Sequence, residues 1–581
     1  MALAAGAATF VGHHRVAVGK GCELVDFAAK EKFAKQLENR PEARRLGPVA
    51  ACFAEGTDPQ VMAAFHQALQ EAQDGAWPNP DERYNLTSRW SGAQGSPRVI
   101  RWSFVPDGLS IPSGVGEAVA NSTLFASMDA KFSGNRALWI SKFEEVFNRW
   151  SQVTGLTYVR VTSGGNDWDD GADWGQAGAD GLRGDVRISS KNIDGASSTL
   201  AYNFFPSNGD MVIDSSENWG SSTNDYRFLR NTLSHEHGHG MGLLHVCPID
   251  STKLMEPYLN TGFNGPQQDD IRAGTRHYGD SNEPDNTAAT ATPVGAVGVG
   301  TSVTLGTYSS AANSSTLSID ADGEEDYYQI TTSGPVRLTA TATPVGSSYN
   351  SATANPCGTN AVIAAQSQAN LAIEVQNSTG TVLASASGGG LAIAESVILD
   401  ISAAGTYNVR VYETNSPTQS QLYRLDLLGE AIPTATISGR ITFLDWVNPN
   451  STHPVIIEVI RISDGAQIAL ASTTTDSDGD YTISVPSLVA GTGYLVRVSS
   501  LVWLRKSTPT IGAATISNLN FSLFNGDADQ SGEVDAADID DVIAAFGGTG
   551  VGPTGGDLDG SGEVDASDID VAIANFGQID N

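Results

Sequence analysis

The chain has 581 residues, 40% hydrophobic and 17% charged, which is too long for one core and too apolar for a disordered chain. A formal net charge of -33 repels phosphate backbones and argues against nucleic-acid binding, while it suits hard cations such as calcium. Four cysteines, Cys22, Cys52, Cys247 and Cys357, are too few for a disulfide framework, and no apolar run is long enough to span a membrane.

In residues 1–94, "DPQVMAAFHQALQEAQ" predicts a helix: Asp58 caps it, Pro59 suits its first turn, and Val61, Met62, Phe65 and Leu69 share a face. The region reads as an arm or a removable propeptide, and a Cys22–Cys52 bridge stays open. Its opening, "MALAAGAATFVGHHRV", lacks the basic and apolar parts of a secretory signal, so secretion is inferred from the domains instead.

From residue 95 the texture changes. "RVIRWSFV" alternates as a strand, and "ALWISKFEEVFNRWSQV" puts Trp139, Phe143, Val146, Phe147 and Trp150 at helical spacing. "LTYVRV" and "DVRISS" add strands before a histidine-bearing helix, which makes 95–280 an α+β domain. Past Gly279, "SNEPDNTAATATP" reads as a polar linker, and short β-type runs over 281–430 and 431–524 predict two β-sandwiches. Residues 525–581 contain a duplicated acidic segment, its second copy thirty residues after the first.

The run "HEHGHGMGLLH" begins at His235. His235 and His239 lie one helical turn apart on one face and can hold one ion together. Gly242 can end the helix sharply and return His245 to the same metal. Three imidazoles leave a position open, the pattern of a catalytic rather than a structural zinc site. Glu236 is then placed to take a proton from water. His237 faces away from the pair and is expected at the surface. Cys52 reads as buried or paired rather than as a zinc ligand, and Cys247 as a structural thiol or disulfide half.

The extended His-Glu-x-x-His-x-x-Gly-x-x-His pattern resembles the metzincin metallopeptidases. "KLMEPYL" makes Met255 the Met-turn methionine, and "GPQQDDIRAGTRHYGD" and "TLAYNFFPSNGDMVIDSSENW" are similar to segments of matrixins. The resemblance implies a twisted mixed sheet, an open cleft in which a peptide substrate extends the edge strand, and calcium at Asp214 and Glu217. It also implies that the second, structural zinc of matrixins is missing, because Tyr202 and Val212 stand where its histidines would be.

The tail repeats space their oxygens as calcium loops: Asp527, Asp529, Ser531, Glu533 through its backbone, Asp535 and Asp538, then Asp557, Asp559, Ser561, Glu563, Asp565 and Asp568. Gly532 and Gly562 stand at the sharp turns. With Asp at the twelfth position, the EF-hand-like repeat resembles a type I dockerin, which implies two calcium ions and a cohesin-type or cell-surface partner. "NEPDNTAATATP", "DGEEDYY" and "AGTYNVRVY" resemble the bacterial pre-peptidase C-terminal domain, and 431–524 an immunoglobulin-like or carboxypeptidase-regulatory sandwich. Both β-domains read as spacers.

The expected whole is multidomain: an α+β matrixin-like catalytic domain, two β-sandwiches and a small α-helical calcium-loop module. The function that follows is a secreted zinc endopeptidase acting on protein or peptide. A non-catalytic, calcium-dependent adhesion or scaffold protein is the alternative.

Overall fold

The aromatic stripe of the long helix sets the first core. In the computed structural model, which describes residues 34–35, 46–72, 86, 88–308, 315–353, 361–417, 419–448 and 451–581, the chain forms two compact units, Met1–Glu430 and Ala431–Asn581. Cys22, Cys357 and the Leu69 side chain lie outside the described residues. In the first unit the strands are β1 (Val49–Phe53), β2 (Arg98–Phe104), β3 (Leu156–Arg160), β4 (Val186–Lys191), β5 (Thr199–Phe204) and β6 (Met211–Asp214). The helices are α1 (Pro59–Ala72), α2 (Leu124–Lys131), α3 (Arg136–Val153), α4 (Arg227–Gly240) and α5 (Gln268–Tyr278).

The strands form one sheet in the order β1-β5-β6-β4-β2-β3. β6, β4, β2 and β3 run parallel, whereas β5 is antiparallel to β6 and β1 is antiparallel to β5. Asn135 caps α3 by accepting from the Leu138 amide at 3.2 Å. Trp139, Phe143, Phe147 and Trp150 are all buried. Phe147 stacks on Trp102 with centroids 4.6 Å apart, and Phe143 meets Phe104 edge-on at 5.0 Å. Each such burial stabilises the fold by roughly 1.5–3 kcal/mol. On the far side, the Trp150 indole donates to the Ser234 carbonyl at 3.2 Å and ties α3 to α4.

The N-terminal helix forms as predicted, with the Gln60 amide donating to Asp58 at 2.9 Å and with Met62 and Phe65 buried. The segment before it is no loose arm, because β1 extends the six-stranded sheet past its antiparallel strand β5.

Residues 281–430 correct two expectations. They form a two-sheet sandwich with its own apolar core, but one packed on the preceding α+β domain rather than holding it at a distance. Leu422 enters the core of the α+β domain, Arg272 of α5 donates to the Ser420 carbonyl at 2.9 Å, and strand Tyr349–Thr353 pairs with Val246–Cys247 just past His245. The polar "linker" is likewise anchored: Asp285 is buried, and its carbonyl accepts from the Tyr327 amide at 2.9 Å.

The second unit begins with a sandwich of two four-stranded sheets spanning Thr434–Leu523. The tail helices α6 (Ala536–Ala545) and α7 (Ala566–Ala574) follow. Val542, Leu558, Val564 and Val571 share one core with Val496, Trp503 and Leu523, so the expected boundary at residue 525 separates two motifs but not two cores. Leu558→Ala should therefore loosen both parts together by about 2–5 kcal/mol. Hydrogen exchange in Pro454–Arg461 and Ala536–Ala545 should rise in parallel; acceleration confined to the helices would mean separate cores.

Candidate active site

α4 is buried on every face from Asn231 to Gly240, so its polar side chains have to be satisfied within the protein. Gly242 breaks the helix at φ +104°, and a Cβ there would lie 2.3 Å from the Ser88 carbonyl oxygen. The chain turns back and brings the Nε2 atoms of His235, His239 and His245 into a triangle with sides of 3.1, 3.1 and 3.2 Å. The Nδ1–H groups of His235 and His239 donate to the Leu254 and Leu243 carbonyls, each at 2.7 Å. Both rings are thereby held with an Nε2 lone pair facing the triangle. Uncompensated, these lone pairs would repel one another. A zinc ion with bonds of ~2.0–2.1 Å fits among them.

Glu236 is fully buried beside this triangle. Its Oε1 accepts from the Cys52 amide at 3.1 Å, and its Oε2 has no hydrogen-bond partner among the described residues. Burial pushes its carboxyl group well above the usual range, against the pull of the Cys52 amide. An orphaned, buried carboxylate oxygen is costly unless it has a task.

β1 brings a thiol here. Cys52 is a free, buried thiol, which overturns the Cys22–Cys52 bridge. Its sulfur, a ring nitrogen of His235 and an oxygen of Glu236 lie within 4.8 Å of one another. The strand pairs with β5 on one side. On the other, the Phe53 amide donates to the Pro257 carbonyl at 3.3 Å and the Leu259 amide donates to the Phe53 carbonyl at 2.9 Å. The pairing spans about 150 residues of sequence, and no local pattern signals it.

Met255 lies against α4: a Cβ on Gly238 would sit 2.4 Å from its sulfur. Asp270 fixes that turn by accepting the Leu254 and Met255 amides at 2.8 and 3.0 Å. No spacing rule marks this aspartate in the sequence, although it lies in "DDIRAG". Burial, with neighbouring Asp269, pushes its carboxyl group up to about 7. His237 contradicts the surface expectation. It is buried between Phe147 and Tyr158, is hydrogen-bonded to the Tyr158 hydroxyl, and is pushed down to about 3 by desolvation. The face turned away from the metal is the face that α3 and β3 cover.

At Tyr202 the hydroxyl donates to Glu117 at 2.8 Å, and Lys191 pairs with the same carboxylate at 2.8 Å. A lysine, a glutamate and a tyrosine thus meet at the Tyr202 position. Asp214 accepts the Ile193, Asp194 and Ser216 amides, and Glu217 accepts the Ser197 amide. These carboxylates hold the 193–198 loop. Cys247 is disulfide-bonded, which removes it as a competing metal ligand.

In the tail, Asp527, Asp529 and Asp538 converge within 4.8 Å, as do Asp557, Asp559 and Asp568. The two loops share one hydrogen-bond pattern: Gly532 and Gly562 donate to Asp527 and Asp557 at 3.1 and 3.0 Å. The other oxygens of Asp527 and Asp557 are unpartnered among the described residues. Ser531 and Ser561 donate to the Glu533 and Glu563 carbonyls at 3.3 and 3.2 Å, which places those carbonyls in the loops. Asp535 and Asp565 cap α6 and α7 and are outside the converging sets.

Residues 128–279 match the matrixin family model. The chain is 34% identical over 154 residues to interstitial collagenase of Sus scrofa, an alignment covering 26% of this chain and 30% of that protein. The chain thus spans about a third of the length of the curated relatives it matches. Among solved structures, a cohesin–X-dockerin complex from Acetivibrio cellulolyticus aligns at 21% identity over 25% of this chain and 97% of that one, with a TM-score of 0.20. The pre-peptidase C-terminal domain of a Bacillus anthracis collagenase aligns at 10% identity over 24% and 94%, with a TM-score of 0.14. Among the described residues, no helix is long and apolar enough to cross a membrane.

Gly242→Ala should strain the turn by about 1–2 kcal/mol before any clash is counted. Zinc retention against a chelator should fall about tenfold; unchanged retention would show that the turn does not position His245.

Proposed function

We propose that this chain is a secreted zinc-dependent endopeptidase. The reading is carried by the three-nitrogen triangle lying beside a buried carboxylate with a free oxygen. When bound, zinc would supply the Lewis acidity that makes water a nucleophile near neutral pH and steadies charge on the scissile carbonyl. Glu236 takes the proton from water through Oε2 and delivers it to the leaving amine. The tautomers of His235 and His239 are fixed by backbone carbonyls, so neither of these rings has to rearrange during turnover. An extended peptide substrate takes the groove between β5 and residues 257–259, hydrogen-bonding along both edges.

Glu236→Ala should retain one zinc per chain while losing casein cleavage by about 10²–10⁴-fold. Equal cleavage by both proteins would refute this role for Glu236. No cleavage by either, with zinc retained, would favour the non-catalytic adhesion or scaffold reading.

In the intact chain that groove holds β1, and the Cys52 thiol lies within 4.8 Å of a His235 ring nitrogen and a Glu236 oxygen. We read residues 46–72 as a propeptide that keeps the enzyme latent, with Cys52 as a fourth zinc ligand. In a cobalt-substituted protein, thiolate-to-metal absorption should be present and should vanish in Cys52→Ser. Unchanged absorption would rule out the ligand role whatever the activity.

The tail supports a calcium-folded docking module. Each loop converges three carboxylates, and each copy leaves an apolar pair exposed: Ile543 and Phe546 in the first, Ile573 and Phe576 in the second, all 51–58% accessible. Such paired patches suit a protein partner of the cohesin or cell-surface kind. Calcium at Asp214 and Glu217 belongs to the same reading.

A further inference from the structure

The hairpin after β2 is held on the sheet by charge. Ser110–Ile111 pairs with Ala120–Asn121, and the tip between them packs on residues of β5 and β6. Glu117 lies in this tip and meets Lys191 of β4 at 2.8 Å, both side chains being 1% exposed. The Lys191 ammonium also donates to the Ile111, Pro112 and Ala118 carbonyls at 3.2, 2.7 and 3.1 Å. The Glu117 carboxylate accepts from the Ser113 hydroxyl at 3.0 Å and from the Gly114 and Val115 amides, each at 2.9 Å. One buried ion pair thus gathers both limbs of the hairpin and its tip. Such a pair offsets its desolvation only when further hydrogen bonds fill the remaining positions, as they do here. Desolvation pulls the Glu117 carboxyl group up, but the Lys191 charge and the two amides outweigh it and hold the group below its usual range.

The network reaches the cleft through Tyr202, whose hydroxyl donates to the same carboxylate at 2.8 Å. Tyr202 is fully buried, and a Cβ on Gly114 would lie 2.3 Å from its ring, so the backbone of the tip lies against the ring itself. Ile111, Val115 and Phe204 belong to the same apolar cluster. The backbone of Tyr202 faces other neighbours. In β5 it pairs with Val212 of β6 on one side and with Ala51 of β1, the residue before Cys52, on the other. Lys191 stands beyond β6, in the order β5-β6-β4. The ion pair therefore ties the strand that lines the groove to a strand two places inside the sheet, across the face rather than along the backbone ladder.

We propose that the Lys191–Glu117 pair positions the substrate-binding strand: through the Tyr202 hydroxyl it fixes where β5 presents its backbone to whatever strand occupies the groove. The inference rests on the groove assigned above to an extended peptide, and all three are positioning residues whose side chains touch no substrate. Strand addition draws its affinity from main-chain hydrogen bonds, and these weaken steeply with distance and angle. A β5 free to shift would hold its occupant less tightly while the metal ligands and Glu236, which belong to α4 and the turn after it, stay in place.

The test uses the full, zinc-loaded chain and reads the groove through Cys52. Alkylation of that thiol by iodoacetamide, followed by peptide mass, reports how often β1 leaves β5. Lys191→Met combined with Glu117→Gln removes both charges at once, so that neither is left stranded. Tyr202→Phe removes the hydroxyl alone. Each protein should be alkylated at Cys52 about tenfold faster than the unsubstituted chain, as expected for the loss of a hydrogen bond to a charged group. Hydrogen exchange in Arg136–Val153 should not change. In turnover of a peptide substrate, both should show a KM raised about tenfold at unchanged kcat, the pattern of weakened binding without altered chemistry. Equal alkylation rates in all three proteins would overturn the proposal. So would alkylation and Arg136–Val153 exchange rising in parallel, which is loss of overall stability, or a fall in kcat at unchanged KM. A chain without peptidase activity would refute the peptidase reading alone, because the alkylation rates decide the positioning role without turnover.

Discussion

Three imidazole nitrogens held about 3 Å apart inside a protein are unfavourable neighbours unless something positive joins them. Much of the first unit serves to keep them there. The Leu254 and Leu243 carbonyls fix two of the rings, and Asp270 holds the turn that carries Leu254. Trp90 and Tyr278 close the end of α4 by donating to the Gly240 and Met241 carbonyls at 2.9 and 2.8 Å. The aromatic packing of α3 against β2 supplies the rigidity behind them, since tightly packed interiors transmit strain rather than absorb it.

What could be read from the sequence was what is local. His235, Glu236 and His239 are set by helical spacing, Gly242 by backbone freedom, and the tail loops by the spacing of their oxygens. The stripe of α3 and the Asp58 cap were legible for the same reason. Contacts between distant segments were not. Cys52 meets Glu236 across 184 residues, and nothing around "VAACF" distinguishes a strand destined for the cleft from any buried strand. His237 was misplaced because a helical wheel shows which side faces the metal but not whether the opposite side is covered. Lys191 and Glu117 looked like strand and loop polarity, since only the fold brings them to Tyr202.

Domain boundaries show the same limit. Changes in texture near residues 280 and 525 mark real changes of secondary structure, yet neither is a gap between bodies within its unit. Arg272, Thr275 and Gln268 of α5 all bond into the sandwich that follows, with Thr275 and Ser420 hydroxyls 2.7 Å apart. Val542 and Leu558 lie in the core of the second sandwich. Composition tracks solvent-facing residues, and two motifs sharing an apolar interior keep distinct surfaces.

The strand lying on β5 has a consequence in mass action. A segment joined to the enzyme by its own backbone meets the cleft at an effective concentration that a short flexible tether sets in the millimolar range. A free peptide forming the same backbone pairing must exceed that figure to displace it. Severing the covalent connection lowers the local concentration to that of an ordinary solute, after which dilution below the segment's own dissociation constant empties the groove. The concentration at which a competitor enters is thus the effective concentration scaled by the ratio of the two intrinsic affinities, and it falls once that stretch of backbone is cut.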